Sequence, residues 1–280
     1  MSVLLTGASG YVGNLIYSEF KNVWDIVGVG RSEHKNNDFK LDISDPIAVE
    51  KLAQKISPDV IIHAAGNKDV SACESDSRTA YLANTQTTFN LISSFPNTRI
   101  IYLSSDYVFS GNEGDYTEDA LVNPITVYGK TKVCSELQGM MLHEQFHVLR
   151  LSALYDQNAA FVRFVHESLK KNNQIDCFDN VFYSPTFYRD FLNTVQKLVE
   201  SSVLKENIYH ACGVRLSRYE FAICVAQVLG ENESLIQRAQ YQEGTASFLF
   251  PDLSLNNAKT RDTLSLSLSE HKQNLIEVLQ

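Results

Sequence analysis

Tyr128 and Lys132 lie four residues apart in the run VNPITVYGKTK, the spacing that puts two side chains on one face of a helix. An ammonium held beside a phenol favours the phenolate and lowers its pKa from about 10. Such a pair can exchange a proton with an alcohol or ketone near neutral pH. Ser105 closes the apolar run RIIYLSS, and its hydroxyl can hydrogen-bond the same oxygen as charge develops there. These three are the candidate catalytic residues, and the chemistry they suggest needs a hydride carrier beside them.

The start of the chain offers a place for one. In TGASGYVG, Gly7, Gly10 and Gly13 follow the apolar run Val3-Leu4-Leu5 directly and open a helical period. A glycine-rich loop between strand and helix presents backbone N–H groups and the positive end of a helix dipole to an anion. With a second strand following, the pattern fits the pyrophosphate of a dinucleotide, cradled by Gly7, Ser9, Gly10, Tyr11, Val12 and Gly13. After that second strand, GVGRSEHK supplies Arg31 and Ser32, a cation and a hydroxyl suited to a 2′-phosphate. NADP is therefore the favoured cofactor, and Glu33 leaves NAD open. In KLDISD, Asp42 and Ile43 stand where a loop could meet the adenine, although Asp42 could equally cap a helix.

Elements that would hold these residues can be read from periodicity. Short apolar runs at 3–5, 26–30, 58–65, 99–105 and 147–152 alternate with helical periods at 10–20, 44–56, 80–94 and 124–145. Alternation of this kind marks βα units around a parallel sheet covered on both faces. The expected fold is α/β, a doubly wound parallel sheet of Rossmann type with a smaller C-terminal substrate-binding lobe. The first domain is placed at 1–152 and the lobe at 153–280, with some of its segments packing back on the first. The lobe begins with less regular, aromatic-rich sequence, where Tyr183, Phe187 and Tyr188 either meet substrate or pack. SRYEFAICVAQVLG reads as a helix closed by Gly230, and Ser267 with Glu270 reads as a capping box for the last helix.

With 280 residues, 44% of them hydrophobic and 20% charged, the chain has the composition of an ordinary folded protein. Twenty-four basic against 33 acidic side chains give a formal charge of −9, which argues against nucleic acid as a partner because phosphate contacts need a basic surface. Apolar stretches are too short for a bilayer and the first residues carry no basic run, so a cytoplasmic protein without a membrane partner is expected. The five cysteines form no CxxC pair, and His143 with His147 lack accompanying carboxylates; no metal site is expected.

Together TGxxGxxG, the Asp42 loop, HAAG at His63–Gly66, Ser105 and YxxxK resemble the extended short-chain dehydrogenase/reductases. Within them the chain is similar to the dTDP-4-dehydrorhamnose reductase branch: SSDYVFSG, NPITVYGKTK, VSACESDSRTAYLAN, YSPTFYRDF and FPDLSLNNAK spread the likeness over nearly the whole chain. The resemblance implies an NAD(P)-dependent reductase that passes hydride to a keto group of a nucleotide-linked deoxysugar. Tyr128 would supply the proton, Lys132 would hold the nicotinamide ribose and tune Tyr128, and Ser105 would orient the carbonyl. Ala64, Ala65 and Gly66 would line the cofactor, while Asp106 and Tyr107 would face the substrate. The pattern departs at RLSALY, where Ala153 stands in place of a sugar-packing Trp, and with it goes a large stacking surface. The regulatory subunit of methionine adenosyltransferase resembles this branch too, as a binding partner rather than a reductase, and nucleotide-sugar epimerases use the same Tyr and Lys. The assembly state, a homodimer included, is left open.

Overall fold

The computed structural model describes residues 1–242, 248–267 and 269–280. The elements in chain order begin with β1 (Ser2–Thr6), α1 (Tyr11–Phe20), β2 (Asp25–Gly30), β3 (Phe39–Lys40), α2 (Pro46–Ala53) and β4 (Val60–His63). They continue with α3 (Val70–Ser75), α4 (Ser77–Tyr81), a π-helical turn (Leu82–Gln86), α5 (Thr87–Ser94), β5 (Arg99–Ser105), α6 (Val127–Leu142) and β6 (Phe146–Leu151). Then follow β7 (Leu154–Tyr155), α7 (Ala160–Lys170), β8 (Ile175–Phe178), β9 (Phe182–Tyr183), β10 (Thr186–Phe187), α8 (Tyr188–Glu200) and β11 (Ile208–Ala211). Last come β12 (Leu216–Ser217), α9 (Arg218–Leu229), β13 (Ile236–Ala239), α10 (Ala258–Leu264) and α11 (His271–Leu279).

Seven strands form one sheet in the order β11-β6-β5-β4-β1-β2-β3. β1 runs parallel to both β2 and β4, β2 to β3, and β4 to β5. Chain progress therefore reverses direction across the sheet at β1 and β4, the switch point of a doubly wound fold, beyond whose strand ends dinucleotides bind. β4 is buried at every residue and β5 at all but its first, as strands covered on both faces should be.

The chain divides into two compact units. The first comprises Met1–Val108, Val122–Arg150 and Gln196–Tyr209; the second comprises Phe109–Leu121, Leu151–Val195 and His210–Gln280. Phe109–Leu121 thus belongs to the second unit and Gln196–Tyr209 to the first. In the first unit Leu4, Ile61, Ile100, Tyr102, Phe146 and Val148 from the sheet pack with Val49, Leu52, Leu91 and Ile92 from α2 and α5. In the second, Tyr183 and Phe187 are core residues beside Tyr155, Phe221 and Leu275, with Tyr188 packed against them.

Two helix readings are corrected. The helical period at 80–94 is broken into α4, the π-turn and α5. The expected capping box at Ser267 and Glu270 is absent: α11 starts only at His271, with Glu270 itself at the N-cap and no side-chain cap hydrogen bond. The box is at Ser217 and Glu220 instead, with Ser217 Oγ accepting from Glu220 N at 3.1 Å and Glu220 Oε2 accepting from Ser217 N at 2.7 Å. Gly230, left-handed at φ +69°, ends that helix as a C-cap glycine does. Replacing Ser217 with Ala is expected to cost about 1 kcal/mol in urea denaturation, whereas Ser267→Ala should leave the midpoint unchanged.

Candidate active site

The glycine loop lies at the C-terminal end of β1, where the sheet switches direction. Gly7 adopts φ +71°, and its α-carbon has the backbone of Ala64 and Ala65 so close that a Cβ would sit 2.8 Å from Ala65 N. A Cβ on Gly13 would fall 2.1 Å from Gly7 O. Only a backbone without side chains can fold this tightly between strand and helix. Gly7 N donates to Val29 O at 2.8 Å and Gly10 N to Gly7 O at 2.9 Å. Gly10 provides α1 with no side-chain cap, and no acidic residue stands in its first turn. A helix start left without a carboxylate or hydroxyl cap, at the switch point of the sheet, suits an anionic group, so the loop fits the dinucleotide expected from the sequence.

Around the loop, Thr6 Oγ1 is hydrogen-bonded to His63 Nδ1 at 2.8 Å and accepts from Ala65 N at 3.3 Å. This ties the segment Ala64–Gly66 to the end of β1. Arg31 and Ser32 are exposed immediately after β2. Glu33 is within 3.4 Å of Lys40 Nζ. Asp42 accepts from both Ser44 N and Ser44 Oγ, at 2.9 and 2.8 Å, and these bonds lower its pKa. The cap of α2 is Asp45, which accepts from Ile47 N at 2.9 Å, so Asp42 orders the preceding turn. Ile43 beside it is buried.

Ser105, Asp106, Tyr107, Tyr128 and Lys132 come together where β5 ends and α6 begins. Ser105 Oγ donates to Asp106 Oδ1 at 3.0 Å and accepts from Tyr107 N at 3.3 Å. The rings of Tyr107 and Tyr128 meet edge to face with centroids 5.7 Å apart. Thr126 caps α6 by accepting from Gly129 N at 3.0 Å, and Glu74 accepts from Val127 N at 2.6 Å. Gly129 allows the first turn to touch Tyr107, since a Cβ there would lie 2.1 Å from Tyr107 O. Tyr128 is thereby fixed by its neighbours on both sides.

Electrostatics differ from the sequence expectation. Burial pushes the Tyr128 phenol above its ordinary range, and the Ser105 hydroxyl is the main influence in the opposite direction. The Lys132 ammonium donates to Leu103 O at 2.6 Å and lies 4.1 Å from the centre of the Tyr102 ring. Its long stem runs down to β5, and burial there pulls its pKa to about 7 against the opposing pull of Glu136. Tyr102 is also an electrostatic neighbour of Tyr128. Ala153 lies in the second unit, exposed, with its carbonyl accepting from Thr186 N at 2.8 Å.

Several supporting residues escaped sequence reading. Asn84, in the π-turn and 1% exposed, accepts from Asn67 N at 2.6 Å and donates to Asn67 O and Thr131 Oγ1 at 3.1 and 3.0 Å. It binds the loop after Gly66 to α6, and the π-turn that presents it is a feature that recurs at functional sites. Glu74, which accepts from Val127 N, and Glu136, which meets Ser104 and Arg150, escaped sequence reading as well. His143 and His147 bond to the carbonyls of Phe95 and Glu206 at 3.0 and 2.9 Å, as structural histidines do.

These features invite comparison with known proteins. The family described as "RmlD substrate binding domain" matches residues 1–280. The chain belongs to that family. Among relatives of this RmlD chain, methionine adenosyltransferase 2 subunit beta of Xenopus laevis is 33% identical over 238 residues, which is 80% of this chain and 70% of that one. The dTDP-4-dehydrorhamnose reductase of Aggregatibacter actinomycetemcomitans is 29% identical over 249 residues, covering 84% and 83%. The crystal structure of a Bacillus anthracis dTDP-4-dehydrorhamnose reductase in complex with NADP superposes with TM-score 0.87 at 25% identity, covering 99% of this chain and 98% of that one.

Burial depresses the His63 pKa from 6.5 to about 3, with the nearby charge of Lys132 a smaller cause. The unfolded chain then binds a proton that the folded one refuses, so this contribution to stability is intact above about pH 6.5 and is lost as pH falls toward 3. Urea denaturation at pH 7 and pH 5 is expected to show that decline, and His63→Gln to flatten part of the slope.

Proposed function

We propose that this chain is an NADP-dependent reductase of the short-chain dehydrogenase/reductase superfamily acting on a keto group of a nucleotide-linked deoxysugar. The observation that carries the reading is the convergence of Ser105, Tyr128 and Lys132 on one end of β5 and one turn of α6. The NADP complex of the Bacillus anthracis reductase supports the choice of cofactor.

Bound NADPH supplies the hydride. Gly7, Ser9, Gly10, Tyr11, Val12 and Gly13 cradle the pyrophosphate, Arg31 and Ser32 take the 2′-phosphate, Asp42 and Ile43 border the adenine, and Ala64, Ala65 and Gly66 line the dinucleotide. With Lys40 beside it, Glu33 repels that phosphate less than a lone carboxylate would. Burial keeps Tyr128 protonated, the form a proton donor requires. Tyr128 gives its proton to the carbonyl oxygen, Ser105 hydrogen-bonds that oxygen, and Lys132 holds the nicotinamide ribose and offsets the phenolate that forms. Asp106 and Tyr107 face the sugar, and Ala153 in place of Trp points to a sugar other than the rhamnose precursor. The partner is a small nucleotide sugar met in the cytoplasm, with neither nucleic acid nor membrane involved.

A second reading, an NADP-binding regulatory subunit, is favoured by the higher identity to methionine adenosyltransferase 2 subunit beta, 33% against 29% for the reductase. The two separate in one pair of measurements. With a 4-keto dTDP-sugar the purified protein is expected to consume NADPH, and Tyr128→Phe to lower kcat by about 10²-fold or more while NADPH affinity barely moves. No consumption, together with a stable complex with a methionine adenosyltransferase catalytic subunit, would favour the regulatory reading; product formed without net NADPH loss would indicate an epimerase. Arg31→Ala is expected to weaken NADPH about tenfold or more and NADH little in fluorescence titrations, and equal losses would remove Arg31 from the 2′-phosphate site.

A further inference from the structure

Two buried heads join α6 to β5. Lys132 and Glu136, one helical turn apart, reach adjacent strand residues: Lys132 Nζ donates to Leu103 O at 2.6 Å, and Glu136 Oε1 accepts from Ser104 Oγ at 2.5 Å. Arg150, on the neighbouring strand β6, closes on the same carboxylate with Nε to Oε1 at 3.1 Å and Nη2 to Oε2 at 2.8 Å. Lys132, Glu136 and Arg150 are 6%, 1% and 2% exposed. Well-packed apolar residues of similar volume commonly serve a core as well as a buried ion pair does, so packing alone gives no reason for charge here.

The groups facing Lys132 supply one. On β4, His63 is held neutral by burial, and on β5 so is Tyr102; on α6, Tyr128 is neutral as well. Glu136 is the anion that acts on Lys132, while Asp106, the other buried carboxylate of the cluster, acts on Tyr128; Arg150 is the second cation. We propose that Glu136, clamped by Arg150 and Ser104, is a positioning residue for Lys132: its carboxylate keeps the ammonium charged against β5, and Arg150 limits how much of that negative charge Lys132 feels. The consequence for turnover rests on the reductase reading, but the charge coupling itself does not.

The sign follows from the neighbours. Burial draws Lys132 toward deprotonation near neutral pH, and Glu136 opposes it. Without Glu136 the ammonium loses its proton at a lower pH.

The test is an NMR pH titration of the full chain labelled with 13Cε-lysine, the Lys132 signal being assigned by its loss in Lys132→Arg. Glu136→Gln is expected to lower the Lys132 midpoint by about one pH unit, and Glu136→Asp, which keeps the charge, to hold it near the unmodified value. Because removing one partner of a buried pair can unfold a protein where removing both does not, the double variant E136Q/R150M carries the test if E136Q does not fold, with a downward shift that is smaller than for E136Q because the opposing Arg150 cation leaves with the anion. If the protein turns over substrate, the alkaline limb of its kcat profile should move by the same amount; absence of turnover in the unmodified protein would overturn the reductase reading and leave the titration to decide the coupling. A midpoint unchanged in a folded E136Q or double variant, or shifted as far by Glu136→Asp as by Glu136→Gln, would overturn the proposal.

Discussion

A cation withdrawn from water must find compensation where it lands, and the arrangement of β5 and α6 is organised around that requirement. Desolvating an ammonium is costly unless hydrogen bonds and opposite charge replace the lost hydration. Lys132 receives a carbonyl at 2.6 Å, the face of Tyr102 at 4.1 Å and the field of Glu136 one turn along. Glu136, equally buried, is in turn satisfied by Arg150 and Ser104. The chain of compensation runs from β6 through α6 to β5 and ends one residue before Ser105. Candidate catalytic geometry is therefore a by-product of satisfying buried charge, and a side chain that reached for water would leave the set incomplete.

The second constraint is steric. Gly7 and Gly13 let the first helix begin against the end of β1, and Gly129 lets α6 begin against Tyr107. Each close approach brings a helix start to the C-terminal end of a strand. At α1 the start has no side-chain cap, which suits an anionic guest. At α6 it is capped twice, by Thr126 and Glu74, and there it holds a phenol instead. The same local geometry thus performs two tasks according to whether the chain supplies its own cap.

What the sequence made legible was local. The glycine loop follows from three residues and their neighbours, Tyr128 and Lys132 from helical spacing, and the sheet from alternating apolar runs. Interactions that depend on which strands are neighbours were not legible. Nothing in HVLRLS says that Arg150 meets Glu136, because that meeting requires β6 to lie beside β5. The π-turn was hidden for a related reason: its value is a long-range one, aiming Asn84 at Asn67 and Thr131. Capping shows where a local rule needs context. S-x-x-E occurs at Ser217 and at Ser267, but only Ser217 stands immediately before the first helical turn, whereas α11 begins after Glu270. Spacing likewise predicted a lowered Tyr128 pKa, whereas burial, which spacing does not reveal, raises it. Four residues on a helix bring two Cβ atoms together, and a stem as long as a lysine's can still carry its charge to a better-compensated place.

Cofactor binding and proton transfer draw on different parts of this architecture. The loop from Gly7 to Gly13 depends on backbone space alone, so it can persist in a relative that binds a dinucleotide without using it. The Ser105, Tyr128 and Lys132 set depends on buried charge that costs stability to maintain. A family member that had given up turnover would gain by exchanging the Glu136–Arg150 pair for apolar residues, which pack without desolvating ions. Here the pair is complete, and each oxygen of its carboxylate is bonded. A network bonded this completely beside Lys132 suits the proton transfer proposed for this site, and it can be altered without touching the backbone space that the dinucleotide loop requires.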